Sequence, residues 1–288
     1  MQATLIINTH SSHASRELER VRSLLESRGI IIDSLVQADG TPALVAAVRK
    51  AKRERAATVL VGGGDGTMTQ VANVLAHSKV TVGVLPLGTG NSFARTIGIG
   101  EDVERAIEII AAGRTTEVDL GVVNKRYFVN FATIGFAAQA AKSTDHDLKS
   151  AIGPLAYVAA AIGQLSHEHG FRAKVRSKHA SLDFRTQQLI VVNGRYFGTV
   201  PITPDATNQD GLLRLFVTEG TSRVELLKTY AALATGLGGV LPEAHLLAGK
   251  KFLIRTKPKQ ELNTDGDSLG RTPAHFSVER RALRVFVP

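Results

Sequence analysis

The sequence predicts an N-terminal α/β domain built on an open, mainly parallel sheet, followed by a β-rich, mostly antiparallel C-terminal domain. Three observations carry this. Strand and helix signals alternate through the first part of the chain, the texture turns to short β-rich runs after about Asp119, and two glycine-rich loops each close a buried apolar run. Texture alone divides the chain into residues 1–120 and 121–288, with the last strand free to return to the first domain.

TLIIN opens the chain as a strand, and a charged helix follows from about Ser15 to Ser27. GIIIDSLV is the next strand and a helix spans roughly Pro42 to Arg55. ATVLV, Ala57 to Val61, is a continuous apolar run of the kind buried on both faces of a parallel sheet. Behind it MTQVANVLA carries Met68, Val71, Val74 and Leu75 at helical spacing, so GGGDGT joins a strand to a helix. VTVGVLP is a further buried strand ending in LGTGNSFAR, and a helix over Val103 to Ala112 stops at Gly113. YFVNFAT, RAKVRS, QLIVVNGRYF, LLRLFVTE, KFLIRT and ALRVFVP then read as strands punctuated by Gly, Pro, Asn and Asp. Apolar helices are expected over Gly153 to Leu165 and Val224 to Leu237.

The chain has 288 residues, of which 43% are apolar and 21% charged, a composition that excludes a disordered or fibrous protein. No cysteine is present, which excludes disulfides, thiol catalysis and cysteine-ligated zinc. The nine histidines show no metal-binding spacing. A formal charge of +9 favours anionic partners without choosing among nucleotide, nucleic acid and acidic membrane. MQATLIINTH lacks a basic n-region and a long apolar core, and Pro154 interrupts the longest uncharged stretch, Ser150 to Ser166. The expectation is a cytoplasmic protein with no spanning helix.

Residues 62–67, GGGDGT, combine a backbone suited to cradling phosphate with a carboxylate that should repel it. Alone, the trio fits a tight turn equally well. PLGTGNSFAR, Pro86 to Arg95, closes the next strand with the same chemistry, and two such loops at one sheet edge point to an anion site at helix N-termini. Asp210 precedes a glycine and fits an ordinary turn. Asp265 and Asp267 flank Gly266, which fits a hairpin turn as well as a site. The cluster Arg49, Lys50, Lys52, Arg53 and Arg55 fits a solvated helix end.

VGGGDGT, PLGTGNSFAR, VNGRYFG, PDATNQDGL and TDGDSLGRTPAHF, in this order along nearly the whole chain, resemble the bacterial diacylglycerol kinase and related lipid kinases, distant relatives of sphingosine kinases. The resemblance implies an ATP-binding α/β domain of the NAD kinase and phosphofructokinase type, and a cleft where a lipid hydroxyl meets the γ-phosphate. It implies nucleotide contacts from the Asn8 to Ser12 turn, from Gly62, Gly63, Gly64, Asp65, Gly66 and Thr67, and from Gly88, Thr89, Gly90 and Asn91. Asp265 falls on the family's catalytic base and Asp267 on an acidic nucleotide contact. Asp210, with the main-chain oxygens of Thr207 and Leu212, falls on a structural Mg²⁺ site. Asp65 is expected to reach the ATP phosphates through Mg²⁺ or its water shell, since a divalent cation reverses the sign of the local interaction.

The chain departs from the pattern at NTHSS, at Gln37, at Ser92 in place of a frequent aspartate, at Thr69 and Gln70, and at Asp267 in place of glutamate. Those departures leave the identity of the lipid open. The implied enzyme phosphorylates a lipid, diacylglycerol first, with a sphingoid base or phosphatidylglycerol as other acceptors. An NAD kinase-like enzyme and a non-catalytic lipid or nucleotide sensor are the competing readings. A reversible contact with anionic membrane through basic clusters and the segments Gly153 to Leu165 and Thr229 to Leu241 is expected. Nucleic acid is not an expected partner, and a homodimer remains compatible with the sequence.

Overall fold

The computed structural model describes residues 1–11, 14–135, 138, 170–178, 180–197, 200–201, 203, 205–218, 224, 228 and 244–288. Ser12, the expected helix at 153–165, all of that at 224–237 except Val224 and Lys228, and the segment 229–241 lie outside these residues.

The first part of the chain runs β1 (Gln2–Asn8), α1 (Ala14–Ser27), β2 (Ile31–Ala38), α2 (Gly40–Arg53), β3 (Thr58–Gly63), α3 (Asp65–Leu75) and β4 (Thr81–Pro86). The four strands lie parallel in the order β2-β1-β3-β4. Every residue of β3 is buried, which is why it reads as an uninterrupted apolar run rather than an alternating one. α3 presents Met68, Val71, Ala72 and Leu75 to the same core. A Leu60→Ala cavity at its centre would cost about 2–5 kcal/mol.

A short helix that the sequence did not announce, α4 (Ser92–Thr96), follows β4, and then comes α5 (Val103–Ala112). α5 is capped at both ends by its own residues. Asp102 accepts the Arg105 amide at 2.9 Å, and Gly113 takes the left-handed conformation with φ 76° that ends the helix.

β5 (Thr115–Val123), β6 (Arg126–Phe128), β7 (Phe131–Gly135), β8 (Phe171–Arg176), β9 (Ser181–Thr186), β10 (Gln188–Val192), β11 (Tyr196–Phe197) and β12 (Val200–Pro201) follow. β13 (Leu213–Thr218), β14 (Ala244–Gly249), β15 (Lys251–Lys257), β16 (Glu261–Thr264), β17 (Asp267–Arg271) and β18 (Ala274–Phe286) complete the chain. Among the described residues a six-stranded antiparallel sheet runs β14-β13-β10-β7-β16-β17. It packs on β8, β9 and β15 through a core that includes Ile134, Leu189, Val191, Leu215, Phe252, Ile254 and Val175.

β18 belongs to both halves of the molecule. Its first part pairs antiparallel with β15, setting Phe276 opposite Phe252, and its last part lies parallel beside β4, setting Arg284 opposite Thr81. The same strand pairs antiparallel with β5 through most of its length. One continuous sheet of ten described strands therefore runs through both halves. The register breaks between Glu279 and Leu283, where Arg281 takes φ 51°. The buried Asp119 holds this kink, accepting the Arg281 amide at 2.8 Å and the Gly211 amide at 2.7 Å.

Candidate active site between the glycine loops and the β16–β17 turn

Because β3 and β4 are parallel neighbours, with Gly63 opposite Pro86, the loops that leave them meet at one sheet edge. They touch backbone to backbone: a Cβ on Gly88 would stand 2.4 Å from the Cα of Gly64, closer than any side chain allows. Gly62 and Gly63 answer different constraints. A Cβ on Gly62 would strike Ile7 and Leu87 in the core, and one on Gly63 would strike Thr67. Asn91 folds back on its own loop. At φ 46°, it accepts the Gly88 amide at 3.1 Å and donates to the carbonyls of Gly88 at 2.7 Å and Pro86 at 3.3 Å.

The charge problem in GGGDGT is resolved by amides. Asp65 Oδ1 accepts from the Phe93 amide at 2.9 Å and from Asn130 Nδ2 at 2.8 Å, and Oδ2 accepts from the Ser92 amide at 3.1 Å. The carboxylate satisfies the orphan amides that open α4 and so fastens the first loop to the second. Among the described residues no three His, Asp or Glu side chains gather where they could hold a metal ion. The donors around Asp65 are N–H groups, which do not fit a Mg²⁺ held by the protein. ATP phosphate fits better. Gly64, Asp65 and Gly66 are partly exposed, and no side chain caps α3, so this helix N-terminus is open to an anion. Asn8, at the end of β1, donates to Thr67 Oγ1 at 2.8 Å and brings the first turn alongside. Thr89 is exposed, and Gly90 lies where a Cβ would be 3.1 Å from Asp65 Oδ2.

Asp265 lies across from this edge, at the turn between β16 and β17, with φ 45° and only 7% exposed. Its carboxylate sits in a nest of three successive amides. The Val129 amide donates to Oδ2 at 2.9 Å, and the Asn130 and Phe131 amides donate to Oδ1 at 3.2 and 3.1 Å. Thr69 Oγ1 on α3 donates to Oδ2 at 2.5 Å. Burial is the largest influence on this group, the negative Asp65 nearby adds to it, and the hydroxyl and amide donors oppose both. The outcome is a carboxyl pushed up from 3.8 to about 7.

Two of the departures from the family pattern meet here. One residue beyond Thr69, Gln70 Nε2 donates to Asp267 Oδ2 at 2.6 Å, so Asp267, where the resemblance implies a nucleotide contact, is tied to α3. A carboxamide at residue 70 can donate to a carboxylate where a glutamate would repel it.

Asn130 is the residue that sequence reasoning missed. Its side chain donates to Asp65, its backbone donates to Asp265, and its Oδ1 is buried without a partner in a residue 1% exposed. The available signal was an asparagine inside the apolar run YFVNFAT, since a buried amide in a strand needs partners.

Asp210 stands apart from this cluster. Its carboxylate accepts the Leu212 amide at 2.9 Å and the Thr207 amide at 3.3 Å, and meets Arg214 Nη2 at 2.6 Å. The implied Mg²⁺ site would need oxygens from Thr207 and Leu212 and a carboxylate without a cation. Here the Arg214 guanidinium meets that carboxylate and also donates to the Leu212 carbonyl at 3.3 Å, so two of the oxygens the implied Mg²⁺ would use already face a cation and, so arranged, do not fit a metal.

A diacylglycerol kinase catalytic domain matches residues 2–123, and a YegS C-terminal NAD kinase beta sandwich-like domain matches residues 130–287. A diacylglycerol kinase of Staphylococcus epidermidis is 31% identical over 235 residues, covering 80% of this chain and 74% of its own. One from Staphylococcus aureus is 30% identical over 244 residues, covering 83% and 77%. Two solved structures from Bacillus anthracis str. Sterne share the fold along the whole chain. One has a TM-score of 0.85 at 22% identity, over 100% of this chain and 95% of that one. The other, a diacylglycerol kinase, has a TM-score of 0.80 at 22% identity, over 100% and 97%. The chain belongs to the diacylglycerol kinase family and is an ATP-dependent lipid kinase.

Proposed function

We propose that the protein transfers the γ-phosphoryl group of ATP to the free hydroxyl of diacylglycerol, giving phosphatidic acid and ADP. The observation that carries this reading is Asp265, a carboxyl with a pKa of about 7 facing the open N-terminus of α3 from the other half of the molecule. ATP phosphates lie at that N-terminus and at the loop carrying Gly88, Thr89 and Gly90. The lipid hydroxyl enters between them and Asp265. As the bond from lipid oxygen to the γ-phosphorus forms and the bridging bond to the β-phosphate breaks, the hydroxyl proton passes to Asp265. A base whose pKa lies near the working pH combines an available lone pair with adequate basicity. Phosphoryl transfer otherwise asks for positioning and for donors that spread the developing charge. Mg²⁺ enters as the counter-ion of the nucleotide, and no step here runs through it.

The test is ATP consumption with lipid product analysis. Purified protein is supplied with ATP and Mg²⁺ and offered diacylglycerol, phosphatidylglycerol and a sphingoid base in uncharged detergent micelles, with NAD as a soluble acceptor. Phosphatidic acid is the expected product. Phosphorylation of NAD with no lipid product would overturn the reading.

A further inference from the structure

Among the described residues no helix is long and apolar enough to cross a membrane, so a bilayer substrate has to be met at a surface. The outer face of β15, β8 and β9 has the chemistry for that meeting. The three strands alternate strictly. Phe252, Ile254, Ala173, Val175, Leu182 and Phe184 point into the core, leaving the intervening residues on a face that no other described element covers.

That face is almost all of one sign. Register places Lys257, Arg172 and Arg185 side by side across the strands, then Arg255, Lys174 and Asp183, with Arg176 in the next row. Asp183 is its one carboxylate and is shared by Arg172 at 2.6 Å and Lys174 at 3.4 Å. A merely solvated face drawn from a chain with 35 basic and 26 acidic residues would carry both signs in similar numbers. Like charges directly opposite one another destabilise a sheet, so the row from Lys257 to Arg185 holds a repulsion that packing does not require. Defence of a sheet edge explains Arg185 on β9, but Arg172, Lys174 and Arg176 lie on β8, which is paired along this stretch with β15 on one side and β9 on the other.

We propose that this face docks the enzyme on an anionic bilayer. The proposal rests on the lipid-kinase reading, which requires repeated contact with a membrane. A continuous layer of lipid phosphates would relieve the like-charge rows together. The outer positions hold no aromatic side chain on which a base could stack, which disfavours a nucleic-acid platform.

The experiment compares three proteins: the wild type, Arg176→Gln/Arg255→Gln/Lys257→Gln, and a charge-matched control on α2, Arg49→Gln/Lys50→Gln/Arg53→Gln. Each is co-sedimented with vesicles of phosphatidylcholine alone and of phosphatidylcholine with phosphatidylglycerol, over a salt series. A surface cation contributes about fivefold to membrane affinity at low salt, so the triple variant should bind mixed vesicles about 100-fold more weakly. The α2 control should bind as the wild type does, and binding should fade as salt rises. Phosphorylation of diacylglycerol in uncharged micelles should be equal for all three, while on mixed vesicles only the β-face variant should slow. Absence of activity in micelles would sink the lipid-kinase reading itself, separately from docking. Docking by this face is overturned if the triple variant binds mixed vesicles like the wild type or if the α2 control loses as much. It is also overturned if the wild type ignores phosphatidylglycerol while binding a single-stranded oligonucleotide through the same residues.

Discussion

Asp65 and Asp265 show how one residue type takes two characters from its surroundings. Asp65 is half-exposed and gathers donors that belong to the loops it joins, whereas Asp265 is buried and titrates near neutrality. Asp265→Asn cannot accept a proton and should lower turnover by about 10²- to 10⁴-fold with little change in ATP affinity, read by steady-state kinetics beside direct nucleotide binding. Its raised pKa also carries a stability signature. A carboxyl with a folded pKa above its ordinary 3.8 contributes stability that is full below 3.8 and lost as pH rises through about 7. The melting temperature of Asp265→Asn relative to wild type should therefore rise across that window, and a difference independent of pH would contradict the assignment. Thr69 separates a tuned base from a merely buried one. Its hydroxyl lowers the Asp265 pKa, so Thr69→Val should move the ascending limb of the kcat/KM profile to higher pH. An unmoved limb with lower kcat would make Thr69 a packing residue.

At the scale of elements, the glycine loops work because two backbones touch. Gly88→Ala would set a methyl against the Gly64 backbone, which has no flexible end to swing aside. It should cost about 1–3 kcal/mol and weaken ATP binding more than an alanine at the exposed Gly270 of β17, as read by thermal melts with and without nucleotide. The loop before β13 makes a different point. Since Arg214 neutralises Asp210, chelator should leave the melting temperature of the wild type unchanged, while Arg214→Gln should cost about 1–3 kcal/mol. A melting temperature that falls with chelator would restore a metal there.

These elements also mark what could be read from the sequence. The parallel strands, α2, α3 and the edge where the loops meet were legible because buried runs, helical spacing and glycine turns are local signals. The partners of Asp65 and Asp265 were not, because Ser92, Phe93 and the 129–131 amides become neighbours only after β3, β4, β7 and β16 have paired. Arg214 sits four residues from Asp210 and was visible, but the implied metal drew attention away from the nearer cation. α4 was missed because its N-terminal amides are capped from outside, by Asp65, rather than by a residue of its own.

At the scale of the whole molecule, β18 decides how the two halves behave. Two units joined by a linker unfold separately, and a ligand between them is gripped by hinge closure. Here β18 pairs with β4 and β5 at its C-terminal end and with β15 near its start, so neither core can open without breaking ladders that belong to the other. Thr69 with Asp265 and Gln70 with Asp267 add a second tie at the site itself. Urea unfolding should accordingly follow one cooperative transition, coincident by far-UV circular dichroism and by the fluorescence of a probe in either half. Asp119→Ala tests the cause. It removes the carboxylate that holds the β18 kink and leaves the amides of Gly211 and Arg281 without their acceptor, so it should lower the midpoint by an amount corresponding to about 1–3 kcal/mol. If the shared strand is what couples the halves, the same variant should split the transition, the probe in the six-stranded sheet parting from the probe in the parallel sheet. A wild type that already unfolds in two separated steps would show that the continuous sheet does not bind the halves into one cooperative unit.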